Sequence, residues 1–140
     1  MSTLDLPDSN QLAEIASANQ LRLIVLFGSA ARGVMHGESD IDLGVLVEKK
    51  LTTSRRIALW SQLSRLFSQD VDLSVLNHID PAVAFQIASE GVVLFEDEPD
   101  TWENWKSYAI RQYWDTEKFR TDLKKYVAER AEEMRYALSE

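Results

Sequence analysis

Leu21-Arg22-Leu23-Ile24-Val25-Leu26-Phe27-Gly28-Ser29 leads, after ten further residues, into Asp40-Ile41-Asp42-Leu43-Gly44-Val45-Leu46-Val47. The reading of this stretch decides the fold. The apolar run Leu23 to Phe27 has the length of a strand covered on both faces. Gly28-Ser29 ends it, and Ala30, Ala31 and Arg32 then read as a short helix. Gly33 to Ser39 holds two glycines among polar residues and reads as a loop. Ile41 to Val47 is a second strand.

Working outward, Asn10 to Asn19 reads as a short amphipathic helix with Leu12, Ile15, Ala16 and Ala18 on one side. Beyond the second strand, Ser54 is expected to cap a helix running to about Ser68, with Ile57, Leu59, Leu63, Leu66 and Phe67 inward. Val71 to Leu76 is a third strand. Asp80-Pro81 reads as an N-cap followed by proline at the first helical position. Gly91 is expected to stop that helix, and Val92 to Phe95 is a fourth strand. Glu96-Asp97-Glu98-Pro99 is an acidic break, after which Asp100 and Glu103 have the spacing of a capping box. Trp102 to Ser139 contains neither glycine nor proline. It reads as one long helix, or as two with a break near Asp115-Thr116. The expected architecture is α/β (α+β): a small mixed sheet of four or five strands flanked by helices, with a C-terminal helical extension. Residues 1–98 form the core and residues 99–140 the extension, within a single domain overall.

Composition narrows the function. At 140 residues with 45% hydrophobic and 27% charged residues, the chain has the make-up of an ordinary globular protein. With no cysteine, disulfides and thiolate metal sites are excluded, and His36 and His78 are too few for a histidine-built zinc site. His36 falls in the loop and His78 reads as a turn residue. No basic leader and no apolar run near the ~20 residues of a membrane span is present, so the expected location is the cytoplasm. The net charge of −8 resides in the first 102 residues, which carry 15 acids against 7 bases. Such a body opposes broad binding to DNA or RNA. It suits a site that meets phosphates through bound cations.

The chemistry lies in the opening stretch. Asp40 and Asp42 stand two residues apart at a strand start, so they share a face and lie roughly 6.5 Å apart. Carboxylates this close oppose each other's ionisation, and divalent cations relieve that conflict. Magnesium favours oxygen ligands and binds through one or two carboxylates plus substrate phosphates. Two such ions can clamp both oxygens of an in-line phosphoryl displacement. Gly28 lets a phosphate approach the backbone, amides at the following helix start point at the anion, and Ser29 adds a hydroxyl donor. Arg32 is placed to pair with triphosphate oxygens. Asp72, in the otherwise apolar Val71-Asp72-Leu73-Ser74-Val75, is the third carboxylate, suited to accept a proton from an attacking hydroxyl or to help hold a metal. Singly, each residue also has an ordinary reading: a turn aspartate, a strand-ending turn, an exposed edge residue, a solvated arginine. The order and placement of the whole set single out phosphoryl chemistry.

These residues resemble the minimal nucleotidyltransferases of the DNA polymerase β superfamily. The likeness rests on Gly28-Ser29-Ala30-Ala31-Arg32-Gly33 followed by Ser39-Asp40-Ile41-Asp42-Leu43, and on the later Asp72. It covers about the first 95 residues. The resemblance implies that Asp40, Asp42 and Asp72 form a catalytic triad binding magnesium, two ions in all. Gly28 and Ser29, with Arg32 nearby, would hold the phosphates of ATP. The small size is similar to the MNT antitoxins of HEPN/MNT toxin–antitoxin pairs. That likeness implies an adenylyltransferase moving AMP from ATP to a tyrosine of a HEPN ribonuclease toxin, with which it would form a hetero-oligomer. Two other functions stay open: neutralisation by stoichiometric binding, and transfer to a small molecule such as an aminoglycoside. The small-molecule reading needs an acceptor pocket for which 140 residues leave little room.

Eight of the 13 aromatic residues lie between Trp102 and Tyr136, including Trp105, Tyr108, Tyr113, Trp114 and Tyr126. They either pack the helix on the sheet or grip a partner, since aromatic residues are enriched at interface cores. Lys49, Lys50, Arg55 and Arg56 form a basic cluster near the expected rim of the site. They read as a solvated helix start or as a contact for an acidic partner or polyphosphate.

Overall fold

The computed structural model describes residues 6–33 and 40–139. Most of the loop expected over Gly33 to Ser39, with His36, lies outside the described residues. The element order is α1 (Ser9–Asn19), β1 (Leu21–Phe27), α2 (Gly28–Ala31), β2 (Ile41–Val47), α3 (Thr53–Ser64), β3 (Val71–Val75), α4 (Pro81–Glu90), β4 (Val92–Glu96), α5 (Thr101–Asp115) and α6 (Glu117–Leu138), with a 3₁₀ turn at Leu76–His78. One mixed sheet has the order β3-β2-β1-β4. β1 runs antiparallel to β2 and β4, and β2 runs parallel to β3.

The apolar run of β1 follows from its position. Its side chains alternate between two covered faces, as the two-residue period of a strand requires. Ile24 and Leu26 enter the larger core, with Ile41, Leu43 and Val45 of β2, Leu73 of β3, Leu12 of α1, and Leu59 and Leu63 of α3. Leu23 and Val25 enter a second core, with Ala84, Ile87 and Ala88 of α4 and Trp105 and Ala109 of α5. Each fully buried leucine or isoleucine contributes about 1.5–3 kcal/mol, so a chain with apolar side chains on only one side of β1 would lose one of these layers. The second layer is narrower than the first. On β2 it reaches only Leu46, at the far end of that strand.

Several local expectations change. Thr52, not Ser54, caps α3: its Oγ accepts from the Arg55 N–H at 3.2 Å. That helix ends at Ser64, and Ile57 is 60% exposed rather than inward. β3 ends at Val75, and Leu76 starts the 3₁₀ turn. Asp80 caps α4 as expected, accepting from the Ala82 N–H at 2.8 Å. Gly91 ends α4 in an extended conformation, not a left-handed one. Glycine is needed there for space: a Cβ would lie 2.6 Å from the Ile87 carbonyl oxygen and 2.8 Å from a Val25 methyl. The capping box at Asp100 does not form. Asp100 has φ +75° and makes no cap bond with its side chain. Instead the Thr101 hydroxyl donates to Asp97 at 2.6 Å.

The C-terminal region is two helices. Thr116 breaks the run, its hydroxyl donating to the Gln112 carbonyl at 2.8 Å. Arg120 folds back, donating to the Tyr113 carbonyl at 2.8 Å with its guanidinium 4.0 Å from that ring's centre. Tyr113 in turn stacks on Phe85 of α4 at 4.2 Å. The aromatic residues therefore divide. Trp105 packs on the sheet, while Tyr108, Trp114, Phe119, Tyr126 and Tyr136 are exposed. No described residue of α6 is buried, and Phe119, Leu123, Val127, Met134 and Leu138 follow one another at helical spacing along it. No helix among the described residues is long and apolar enough to cross a membrane.

Candidate active site

The end of β1 and the start of β2 meet because the two strands pair antiparallel, Phe27 opposite Asp42. The turn that follows Phe27 therefore lies against the carboxylates that open β2. Gly28 has φ +73°, a backbone region that residues with a Cβ rarely adopt. A Cβ there would lie 2.2 Å from Asp42 Oδ2 and 3.0 Å from its carboxyl carbon. Only glycine fits, and the turn's backbone is pressed against the Asp42 carboxylate. Ser29 and Ala30 continue into the four-residue α2, where Ser29 is half-buried.

The third carboxylate arrives through the parallel pairing, which sets Asp72 of β3 directly beside Asp42 of β2. Their neighbours Ile41, Leu43, Val71 and Leu73 all belong to the larger core. By strand alternation Asp42, Asp72 and Ser74 thus emerge on the opposite face. On this face α4 and α5 cover β1 and only the far end of β2, so the first residues of β2 and β3 form an open shelf. Asp72 is exposed, as its ordinary reading as an edge residue has it. The reason is that β3 is an edge strand and this part of its face has no helix over it.

The carboxylates act on one another. Asp42 is held above the ordinary carboxylate range, first by its burial, then by the negative charges of Asp72 and Asp40, while Arg32 pulls it down. Both sources of charge repulsion are the residues singled out by the sequence. Among the described residues, no three acidic or histidine side chains stand close enough together to ligate one ion. The backbone register brings Asp42 and Asp72 side by side, where each charge opposes the other's ionisation. The donor set is all oxygen and mutually repelling, which suits magnesium and not a softer metal.

Arg32 stands just past α2 and reaches Glu90 of α4, Nη1 to Oε2 at 3.2 Å. Both side chains are substantially exposed, so the pair is weak and open to exchange for another anion. The basic cluster splits. Lys49 and Lys50 follow the far end of β2, away from Asp42. Arg56 alone approaches Asp72: it donates to the Leu73 carbonyl at 3.1 Å, and Trp60 donates to the Val71 carbonyl at 2.7 Å. These two bonds cover the outer edge of β3, and with Thr53, Ile57 and Asp72 they line a groove of about 250 Å³. His78 is exposed in the 3₁₀ turn, as a turn residue should be.

Two features of the shelf escape the sequence reading. Ser74 shares the face of Asp72, and the apolar-polar alternation of Val71 to Ser74 was signal enough to find it. Glu90, which engages Arg32 across 58 residues, has no local signal at all.

The family model for polymerase beta nucleotidyltransferases matches residues 10–100. The protein adenylyltransferase MntA of Shewanella oneidensis is 32% identical over 95 residues, 66% of this chain and 68% of that one. MntA of Aphanizomenon flos-aquae is 26% identical over 100 residues, 64% of this chain and 67% of that one. Among solved structures, a toxin–antitoxin crystal structure with AMP-PNP superposes with a TM-score of 0.74 at 28% identity, covering 86% of this chain and 98% of that one. A structure of the tri-AMPylated Shewanella oneidensis HEPN toxin in complex with MNT antitoxin gives a TM-score of 0.66 at 26% identity, covering 86% and 95%.

Proposed function

The chain belongs to the polymerase beta nucleotidyltransferase family, and on that premise we propose that it is an MNT-type antitoxin that moves AMP from ATP onto a tyrosine of a cognate HEPN ribonuclease toxin. The observation that carries this reading is the Asp42 carboxylate, crowded by Asp40 and Asp72 and pressed against the positive-φ backbone of Gly28. That arrangement is costly for the protein alone and useful for a phosphate carried by cations.

Asp40, Asp42 and Asp72 are the residues that would hold magnesium, and the ions would supply neutralisation of the triphosphate charge. Gly28 and Ser29 receive the β- and γ-phosphates with backbone amides and a hydroxyl. Arg32 exchanges Glu90 for a phosphate oxygen. Asp72 takes the proton of the acceptor hydroxyl. The hydroxyl oxygen forms its bond to the α-phosphorus as the bond to pyrophosphate breaks. Positioning and charge neutralisation supply the rate, as in phosphoryl transfer generally. The exposed apolar and aromatic residues of α5 and α6 present a surface for the partner protein.

Incubation of the chain with its HEPN partner, ATP and magnesium tests the proposal. The partner's mass should rise by one or more AMP units. A tight complex whose partner mass stays unchanged would establish a stoichiometric binder instead.

A further inference from the structure

Arg56 lines two adjoining hollows. One is the groove that holds Asp72. The other is a cavity of about 560 Å³ beyond it, walled by Lys50, Arg56, Ser74, Asn77, His78 and Ile79 among others. Ser74 follows Asp72 by two residues on the same face of β3, so the cavity begins roughly 7 Å from Asp72. Its charged lining is Lys50 and Arg56 against Glu48 alone, a basic spot on a body of net charge −8. Among the described residues neither Lys50 nor Arg56 is in an ion pair.

The walls are held in place. Asn77 clamps the end of β2, accepting from the Val47 N–H at 2.9 Å and donating to the Val47 carbonyl at 2.8 Å. Arg56 spends one nitrogen on the Leu73 carbonyl, which leaves the rest of its five-donor guanidinium for a ligand. Because Arg56 and Trp60 occupy the outward carbonyls of β3, an incoming chain cannot extend the sheet there. The cavity is also continuous with the helical surface: Asn77 and Ile79 help line a smaller hollow that reaches Trp105 and Tyr108 of α5.

We infer that this cavity is an acceptor-recognition site, in which Lys50 and Arg56 bind a carboxylate side chain of the acceptor protein while the hydroxyl to be modified sits at Asp72. An extended segment advances about 3.3 Å per residue, so an acid two or more residues from the modified position reaches past Ser74 into the cavity. The inference rests on the proposed function and adds what selects the acceptor.

The test is steady-state AMP transfer to the HEPN partner by the full chain, Lys50→Met and Lys50→Glu. Lys50 is exposed in the turn before α3, so both variants fold. The KM for the acceptor should rise ~10-fold in Lys50→Glu and less in Lys50→Met, with the KM for ATP unmoved. Added salt should raise the acceptor KM of the parent and leave that of Lys50→Glu nearly flat. An acceptor KM within twofold of the parent overturns the inference. So does a rise in the KM for ATP alone, which would assign the pair to the nucleotide. So does a defect confined to second and later additions, which would make the anion an AMP phosphate. A parent chain that transfers no AMP defeats the proposed function instead. The affinity of the complex then decides the inference, and Lys50→Glu must still weaken it about tenfold.

Discussion

The two ends of β1 lie beside aspartates in opposite situations. At the end that meets α5, Asp97 donates its N–H to the Arg22 carbonyl at 2.9 Å, takes the Thr101 hydroxyl at 2.6 Å and pairs with Arg22 at 3.2 Å. Burial pushes its carboxyl up, but the bonds from Thr101 and Arg22 win and hold it below the ordinary range. At the other end Asp42 has two carboxylates and a glycine backbone for neighbours and is held above that range. One end has its charge satisfied and closes the fold. The other keeps a crowded charge that, on the proposed function, a phosphate-bound cation would relieve. The contrast sets a settled charge and a crowded one at separate ends of the same strand, and the proposed function lies at the crowded end.

The sharpest break of this contrast is Asp42→Asn. AMP transfer should fall by on the order of 10³-fold or more, as for loss of a central electrostatic group. In chelator the variant should melt no lower than the parent, because a repulsion has been removed. Transfer at the parent rate, or a clearly lower melting temperature, would show that Asp42 is an ordinary structural residue.

Gly28→Ala should cost about 1–3 kcal/mol through its positive φ alone, with further loss from the Asp42 clash and a sharp fall in activity. Adding Asp42→Ala removes the clashing oxygen. Urea melts of the two single variants and the double should therefore be less than additive. Strict additivity would deny that the turn rests on this carboxylate.

At the quiet end, Thr101→Val removes a buried hydroxyl and its bond to Asp97, for about 1 kcal/mol. The same urea melts measure it, and activity should hold.

The smallest effects are on pH. The Asp97 contribution is complete above the unfolded carboxylate value and is lost as pH falls through its lowered folded value. For Asp42 the sign reverses. As pH rises past 3.8 the folded state keeps a proton that the unfolded state gives up, so stability falls with pH until the raised folded value is passed. Melting temperatures of Asp42→Asn against the parent should separate as pH rises through that window and merge below it. Magnesium should narrow the gap at neutral pH. A gap that widens toward acid would reverse the assignment.

Much of this molecule was legible along the chain. The strand at Leu21–Phe27, the turn at Gly28-Ser29, the strand at Ile41–Val47 and the proline-led helix after Asp80 match the reading, because each signal lies within a few residues of its effect. The capping box at Asp100 failed for the opposite reason. Asp100 takes a positive φ and makes no cap bond, while the Thr101 hydroxyl goes to Asp97, which is held by Arg22 from 75 residues away. Ile57 misled because helical spacing marks a face without saying which part of it the sheet reaches.

The amino-acid order by itself determined which side chains are proposed to carry the chemistry: glycine and serine, then two aspartates ten residues on, is a local pattern whose spacing survives any packing. Tertiary structure alone decided that Asp72 stands beside Asp42, exposed on an edge strand, that Glu90 holds Arg32, and that Lys50 and Arg56 face one cavity. Those relations depend on strand order and helix placement, which are settled by burial of apolar surface between segments distant in the chain, and no short stretch of sequence encodes them.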